Sequence, residues 1–481
     1  MPMLHFPEDP SLEHLRGQAR ALLRKVRAGD EQAVTLLAEH HPRAPAAPRL
    51  ADAQLALARA YGFTSWPDLR RHLDAVAART RSPHKVPAPD GTAPDPATEL
   101  LRLGCLRYGG DSLLDHARAT AMLAADPALG GASIHAAAAT GDLPATERLL
   151  AADPAAATRS GGPFDWVPLL YLAYSRIDAP GADPLGVARL LLRHGADPDS
   201  GYLWGGICAF TALTGAFGGG EDGANQPPHR HAAALARLLL EAGADPNDAQ
   251  ALYNRQFGPD DAHLRLLIEF GLGREGGGPW HALLRAQGAP RALLEDQLSV
   301  AAEHDRPEWA RLALDAGAHP DGLGTRHPIR HGATPYRLAI ARGNLRVAEL
   351  LRAAGATVPP TDPVDDLLTA LLAGNRATAL AADAPLLAAA RARRPDAVRT
   401  AAEVGRREAV RLLAELGFDL HPAGDATPLH QAAHAGDAAM VDLLLELGAD
   451  PARRDTRFDA TPLDWAEHNH QDATAALLRG R

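Results

Sequence analysis

Between Thr427 and Gly448 the order of apolar and polar positions spells two short helices back to back. Thr427 stands where an amino-terminal cap belongs, Pro428 where its missing N–H orphans nothing, and Gly436 where a helix can end in left-handed backbone. Val441, Leu444 and Leu445 then recur at helical spacing up to Gly448, and Ala449-Asp450-Pro451 turns the chain outward. Such a pair has one apolar face and no core of its own, so it must stack on copies of itself.

Copies are found on both sides. Ser133-Ile134-His135, Val167-Pro168-Leu169-Leu170 and Thr211-Ala212-Leu213 open three of them; Thr334-Pro335-Tyr336 opens another. Gln250-Ala251-Leu252-Tyr253 with Leu266-Leu267, Trp280 to Asp321, and 362–418 hold distorted copies, and Thr461-Pro462-Leu463 begins the last, whose polar end at 457–481 is what a terminal cap requires. The repeats span residues 97–481, about nine units. Ahead of them, residues 1–79 read as a separate module of four helices, with Ser65 capping the fourth and Tyr61, Phe63 and Trp66 wedged in a helix corner. The proline-rich stretch 80–96 reads as a linker.

Thr427-Pro428-Leu429-His430 with Ala433, Gly436 and Gly448-Ala449-Asp450 resembles the ankyrin repeat. The amino-terminal module is similar to a helical segment found ahead of such repeats in bacterial proteins. The resemblance implies an all-α fold, an ankyrin-repeat solenoid of helix-turn-helix pairs with short hairpin-like fingers. It also implies structural roles for His135 and His430, whose rings tie neighbouring turns together. By analogy, it implies a non-catalytic scaffold that binds a protein partner.

Departures from the repeat point to where that partner would sit. Extra residues enter between paired helices at 178–184 and 218–231, and the fingers lengthen and fill with aromatic and charged residues. These finger residues are Asp165, Trp166, Tyr202, Trp204, Tyr253, Asn254, Arg255, Trp280, Arg326, His327, Arg330 and His331, within an aromatic-rich concave face over 161–336. Trp, Tyr and Arg bring large area or forked donors at small entropic cost, which suits a binding hot spot. Helix-borne Tyr171, Tyr174, Phe270 and Trp309 read instead as core. The alternative is a small-molecule site or enzyme pocket made where Asp165, Asn254, Arg255, Arg326 and His331 converge between Trp166, Trp204 and Trp280.

Composition narrows the classes. Net charge is -10, and of 49 basic residues only Lys25 and Lys85 are lysine, so nucleic acid is not the expected partner. Two cysteines make no disulfide framework, and the acidic start MPMLHFPEDP lacks the pattern of an export signal. With no apolar run of about 18 residues, neither membrane nor export is expected, and the cytoplasm is the expected location. His327 and His331 flank Pro328, and Asp260-Asp261-Ala262-His263 lacks paired ligands, so no metal is expected. Gly218-Gly219-Gly220 and Gly276-Gly277-Gly278 have no Lys-Ser or Lys-Thr after them, so no phosphate loop and no cofactor are expected either.

Overall fold

The computed structural model describes residues 11–86, 95–258, 260–274, 278–284, 290–325, 332–422 and 426–480. Most of them are helical, and successive short helices pack against each other. Among the described residues no helix is long and apolar enough to cross a membrane. The chain forms two compact units. The first comprises Met1–Ala216, His229–Ala251 and Gly278–Arg285; the second comprises Phe217–Pro228, Leu252–Gly277 and Ala286–Arg481.

In the first unit the leading module is the expected set of four helices, Leu12–Arg27, Glu31–His40, Leu50–Ala60 and Trp66–Arg79. The Ser65 hydroxyl accepts from Asp68 N–H and caps the fourth helix. Phe63 is buried, and Tyr61 and Trp66 pack against two small cores on either side of them. The stretch read as a linker does not begin as one. Thr80–Arg81 is a short strand, β1, which pairs in parallel with β2, Gly201–Trp204; β2 in turn pairs antiparallel with β3, Cys208–Thr211. Val76 joins Leu203 and Ala209 in a small core, with Trp280, Leu283 and Leu284 packed on it. The module is therefore docked on the β2–β3 hairpin.

The helix Pro168–Tyr174 is buried along its whole length. Trp166, Tyr202 and Phe210 pack around it and its Tyr174, with ring centroids 5.0 Å apart for Trp166 and Tyr174, 5.1 Å for Trp166 and Tyr202, and 5.7 Å for Tyr202 and Phe210. Aromatic pairs at such separations add stability beyond the area they bury.

In the second unit the repeat at 427–450 takes the conformation its sequence spells. Thr427 caps Pro428–Ala435, Gly436 ends it at φ 68°, and Ala438–Glu446 follows. Leu429, Ala433, Val441 and Leu444 are buried in one core that runs from Leu367 to Leu478. The stretch 362–418, read as one or two copies, holds five helices, Pro363–Leu372, Arg376–Ala381, Ala384–Arg393, Ala397–Glu403 and Arg407–Glu415. Its Ala384–Arg393 buries little besides Ala390, which is why no amphipathic period marks it out.

The two insertions are fixed by hydrogen bonds. In the first unit Asp178 takes a hydrogen bond of 2.8 Å from Arg230, and Asp183 N–H donates to Gly141 O. In the second unit Glu221 accepts from the Tyr253 hydroxyl, Asp222 lies 3.2 Å from His468 Nε2, and Asn225 Oδ1 lies 2.9 Å from His470 Nε2.

Candidate functional site

The finger Gly161–Trp166 closes on itself. Gly161 and Trp166 exchange backbone hydrogen bonds, the Tyr171 hydroxyl donates to Gly161 O at 2.9 Å, and Phe164 N–H donates to the same hydroxyl at 3.0 Å. Held this way, Trp166 is drawn inward to 1% exposure, while Asp165 projects from a left-handed backbone at φ 52°. Aspartate tolerates that conformation because its short polar side chain stabilises turns. The projecting carboxylate meets Arg81 at 2.9 Å, so β1 carries a cation to the finger tip. Arg81 also donates to Ala78 O and Thr80 O, which fixes its direction.

The next finger is anchored by carboxylates. Asp199 N–H donates to Asp197 Oδ1 at 2.9 Å, and Asp199 Oδ1 accepts from Asp245 N–H at 2.7 Å. Asp245 also receives Gly278 N–H, and the Trp280 Nε1–H donates to Asp199 O at 2.7 Å. Burial, together with the nearby acids Asp197, Asp245 and Asp248, pushes the Asp199 carboxyl up to about 6, against the opposing Asp245 amide. Behind it, Asp248 accepts from Thr211, Thr214 and Ala251 N–H and starts the helix Ala249–Arg255.

Together these segments border a cleft of about 290 Å³ in the first unit. Arg79 and Arg81 lie on one side, Ser160 and Asp165 at one finger, Asp197 and Asp199 at the other, and Trp280 forms a wall. Four of the residues singled out from sequence line it: Asp165, Trp166, Tyr202 and Trp280. Their exposure differs from the expectation. Trp166 and Tyr202 are each 1% exposed and belong to the aromatic core, so they back the cleft instead of offering a broad face to a partner. Trp204 lies against His84 with ring centroids 4.8 Å apart and does not line the cleft. The physical reason is the β2–β3 hairpin, which folds the aromatic finger back on the unit instead of projecting it.

Tyr253, Asn254 and Arg255 belong to the second unit. Tyr253 holds Glu221, Asn254 is buried and its carbonyl receives Gly220 N–H, and Arg255 pairs with Asp260. Each of these contacts lies within the second unit. Arg326, His327, Arg330 and His331 lie outside the described residues. A second cleft, of about 300 Å³, lies in the second unit between Tyr336, Leu345, Val358 and Thr369. It was not marked by the finger pattern because its apolar wall is made by helices.

His135 and His430 do tie neighbouring turns: each Nε2 lies 3.0 Å from a carbonyl of the following finger, Arg159 O and Ala460 O. Sequence reasoning missed Arg79, Arg81, Asp197 and Asp199. The pattern Tyr202-Leu203-Trp204, Gly205-Gly206, Cys208-Ala209-Phe210 was a legible hairpin signal that would have placed Asp197 and Asp199 at its base.

No curated protein matches the chain. The model of the family described as Ankyrin repeats (3 copies) matches residues 365–455 and 398–481, short of the cleft. Ankyrin repeats are generally modules of protein interaction. The chain carries ankyrin repeats across residues 365–481, including the helix pair Pro428–Ala435 and Ala438–Glu446.

Proposed function

We propose that the protein is a non-catalytic scaffold that holds a protein partner, and that the cleft of the first unit is the point of contact. The observation that carries this reading is the cleft's size and construction. At about 290 Å³ it falls at the lower edge of the roughly 300–1,000 Å³ typical of sites that enclose a whole small molecule. That volume suits one side chain of a larger partner. Asp197 and Asp199 use their oxygens to fix backbone amides, and Arg81 is bound to Asp165, so the site is held rigidly for recognition.

A photo-crosslinking residue placed at exposed Ser160 tests this in cells that express the protein, with a second at Phe458, which is 61% exposed on a finger of the matched repeats. A protein adduct at Ser160 that Trp280→Ala abolishes is the expected result. Protein adducts at Phe458 alone would move the contact to the carboxyl-terminal repeats. Adducts of small molecules alone at Ser160 would replace the scaffold reading with a ligand pocket.

A further inference from the structure

We propose that the cleft of the first unit accepts a basic side chain, a guanidinium or ammonium, seated between the Asp197 and Asp199 carboxylates and the Trp280 ring. This rests on the cleft being the partner's point of contact. It goes further by naming the chemistry of the group that enters.

The charges of the lining decide the sign. Arg81 and Asp165 neutralise each other across 2.9 Å. Arg79 is exposed at the rim, where it donates to Ala75 O. What remains at the inner end is acidic: Asp197 and Asp199 face the cleft, and Asp245 and Asp248 stand near enough to act on Asp199. One oxygen of Asp199 is committed to the Asp245 amide. A partner's cation would offset the burial, and after it the neighbouring acids, that push the Asp199 carboxyl upward.

The wall opposite supports the same sign. The indole of Trp280 is tethered through Nε1 to the main-chain carbonyl of Asp199, whose carboxylate is held separately by the Asp245 amide, so both are anchored to one short segment. Aromatic faces attract cations, and more strongly where water is excluded. Trp166 lines the same cleft, is 1% exposed, and its Nε1 has no hydrogen-bond partner among the described residues. Gly201 lets the Trp280 ring close on the strand, because a Cβ there would stand 2.9 Å from that ring.

The test uses the intact protein with its tryptophans replaced by 5-fluorotryptophan and the Trp280 resonance assigned by its loss in Trp280→Phe. N-acetyl-arginine amide is titrated against its neutral isostere N-acetyl-citrulline amide. The arginine probe is expected to shift the Trp280 resonance, with citrulline weaker by about tenfold, the usual penalty for losing a charged hydrogen bond. Asp199→Asn, which keeps an oxygen for the Asp245 amide and so preserves the fold, should weaken the arginine probe to a similar extent. Equal shifts from the two probes, no shift from either, or full arginine binding by Asp199→Asn would overturn the proposal. None of those results touches the scaffold reading, which stands or falls on the Ser160 adduct.

Discussion

The helix pairs at 168–193 and 428–446 follow one plan and are stabilised in different ways. In the carboxyl-terminal pair one face is buried, through Leu429, Ala432, Ala433, Val441 and Leu444, and His434 and Ala435 stay at the surface. Its neighbours cover it on two sides, as expected of quasi-one-dimensional stacking. The helix Pro168–Tyr174 is instead apolar all round and buried all round, because the fingers, the β2–β3 hairpin and the helix Pro96–Gly104 close over it. The first unit thus acquires a core in depth where its hairpin folds back. The same folding leaves a cleft at the edge of that core.

The largest effects should show this difference directly. Trp166→Ala removes a fully buried ring shared with Tyr171, Tyr174 and Tyr202, and should cost about 3–5 kcal/mol. The loss should spread through the first unit, with hydrogen-exchange protection falling from the leading module to Glu241. Leu444→Ala should cost about 2–5 kcal/mol, with protection lost only in adjoining helix pairs. If Trp166→Ala loosens only its nearest helices, the aromatic cluster is not a shared core and the contrast fails.

The sequence revealed what is decided locally. Thr427 and Ser65 act as caps, and Gly436 and Gly448 adopt positive φ, because those choices depend on a few neighbouring residues. Four helices ahead of the repeats were legible from their apolar period. The docking of Thr80–Arg81 on Leu203–Trp204 was not, since a two-residue strand carries no period and its partner is far along the chain. The burial of Trp166 and Tyr202 was equally hidden: a finger's aromatic pattern is the same whether it projects or folds back. Asp199 became a candidate only through its bonds with Asp245 and Trp280, which are contacts of tertiary structure.

Acidification gives the next largest effect. Burial foremost holds His116 down to about 4 and His229 down to about 3, with the cation Arg176 adding to both. The folded state therefore keeps these rings neutral where the unfolded chain, with a value near 6.5, takes up protons. Stability from this source is intact above about pH 6.5 and falls by roughly 1.4 kcal/mol per pH unit for each ring as the pH drops towards 4. Asp199 acts in the opposite sense, since its raised value favours the folded state as the pH falls from about 6 towards 4. Asp248, raised by burial, acts with Asp199, and His135, lowered by burial, acts with the two rings, so rings outnumber carboxyls and the net slope is destabilising. Urea midpoints of the first unit at pH 7 and pH 5 should show it, and His229→Gln should flatten the profile.

The smallest effect compares the caps. Thr427 caps its helix through His430 N–H, whereas Val167, at the matching place before Pro168, supplies no side-chain hydrogen bond. Thr427→Ala should cost about 0.5–2 kcal/mol. The ring of His430 still receives Thr427 N–H in that variant, which favours the lower half of the range. Val167→Thr should recover less than Thr427→Ala loses, because the helix it would cap is already enclosed and its register is fixed by the Tyr171 and Tyr174 hydroxyls, which donate to Gly161 O and Thr211 O. Chemical denaturation of the two variants measures both differences. A gain from Val167→Thr as large as the loss at Thr427 would mean that local capping, not the enclosing core, limits the stability of the first unit, and the two helix pairs would be held together by the same physics after all.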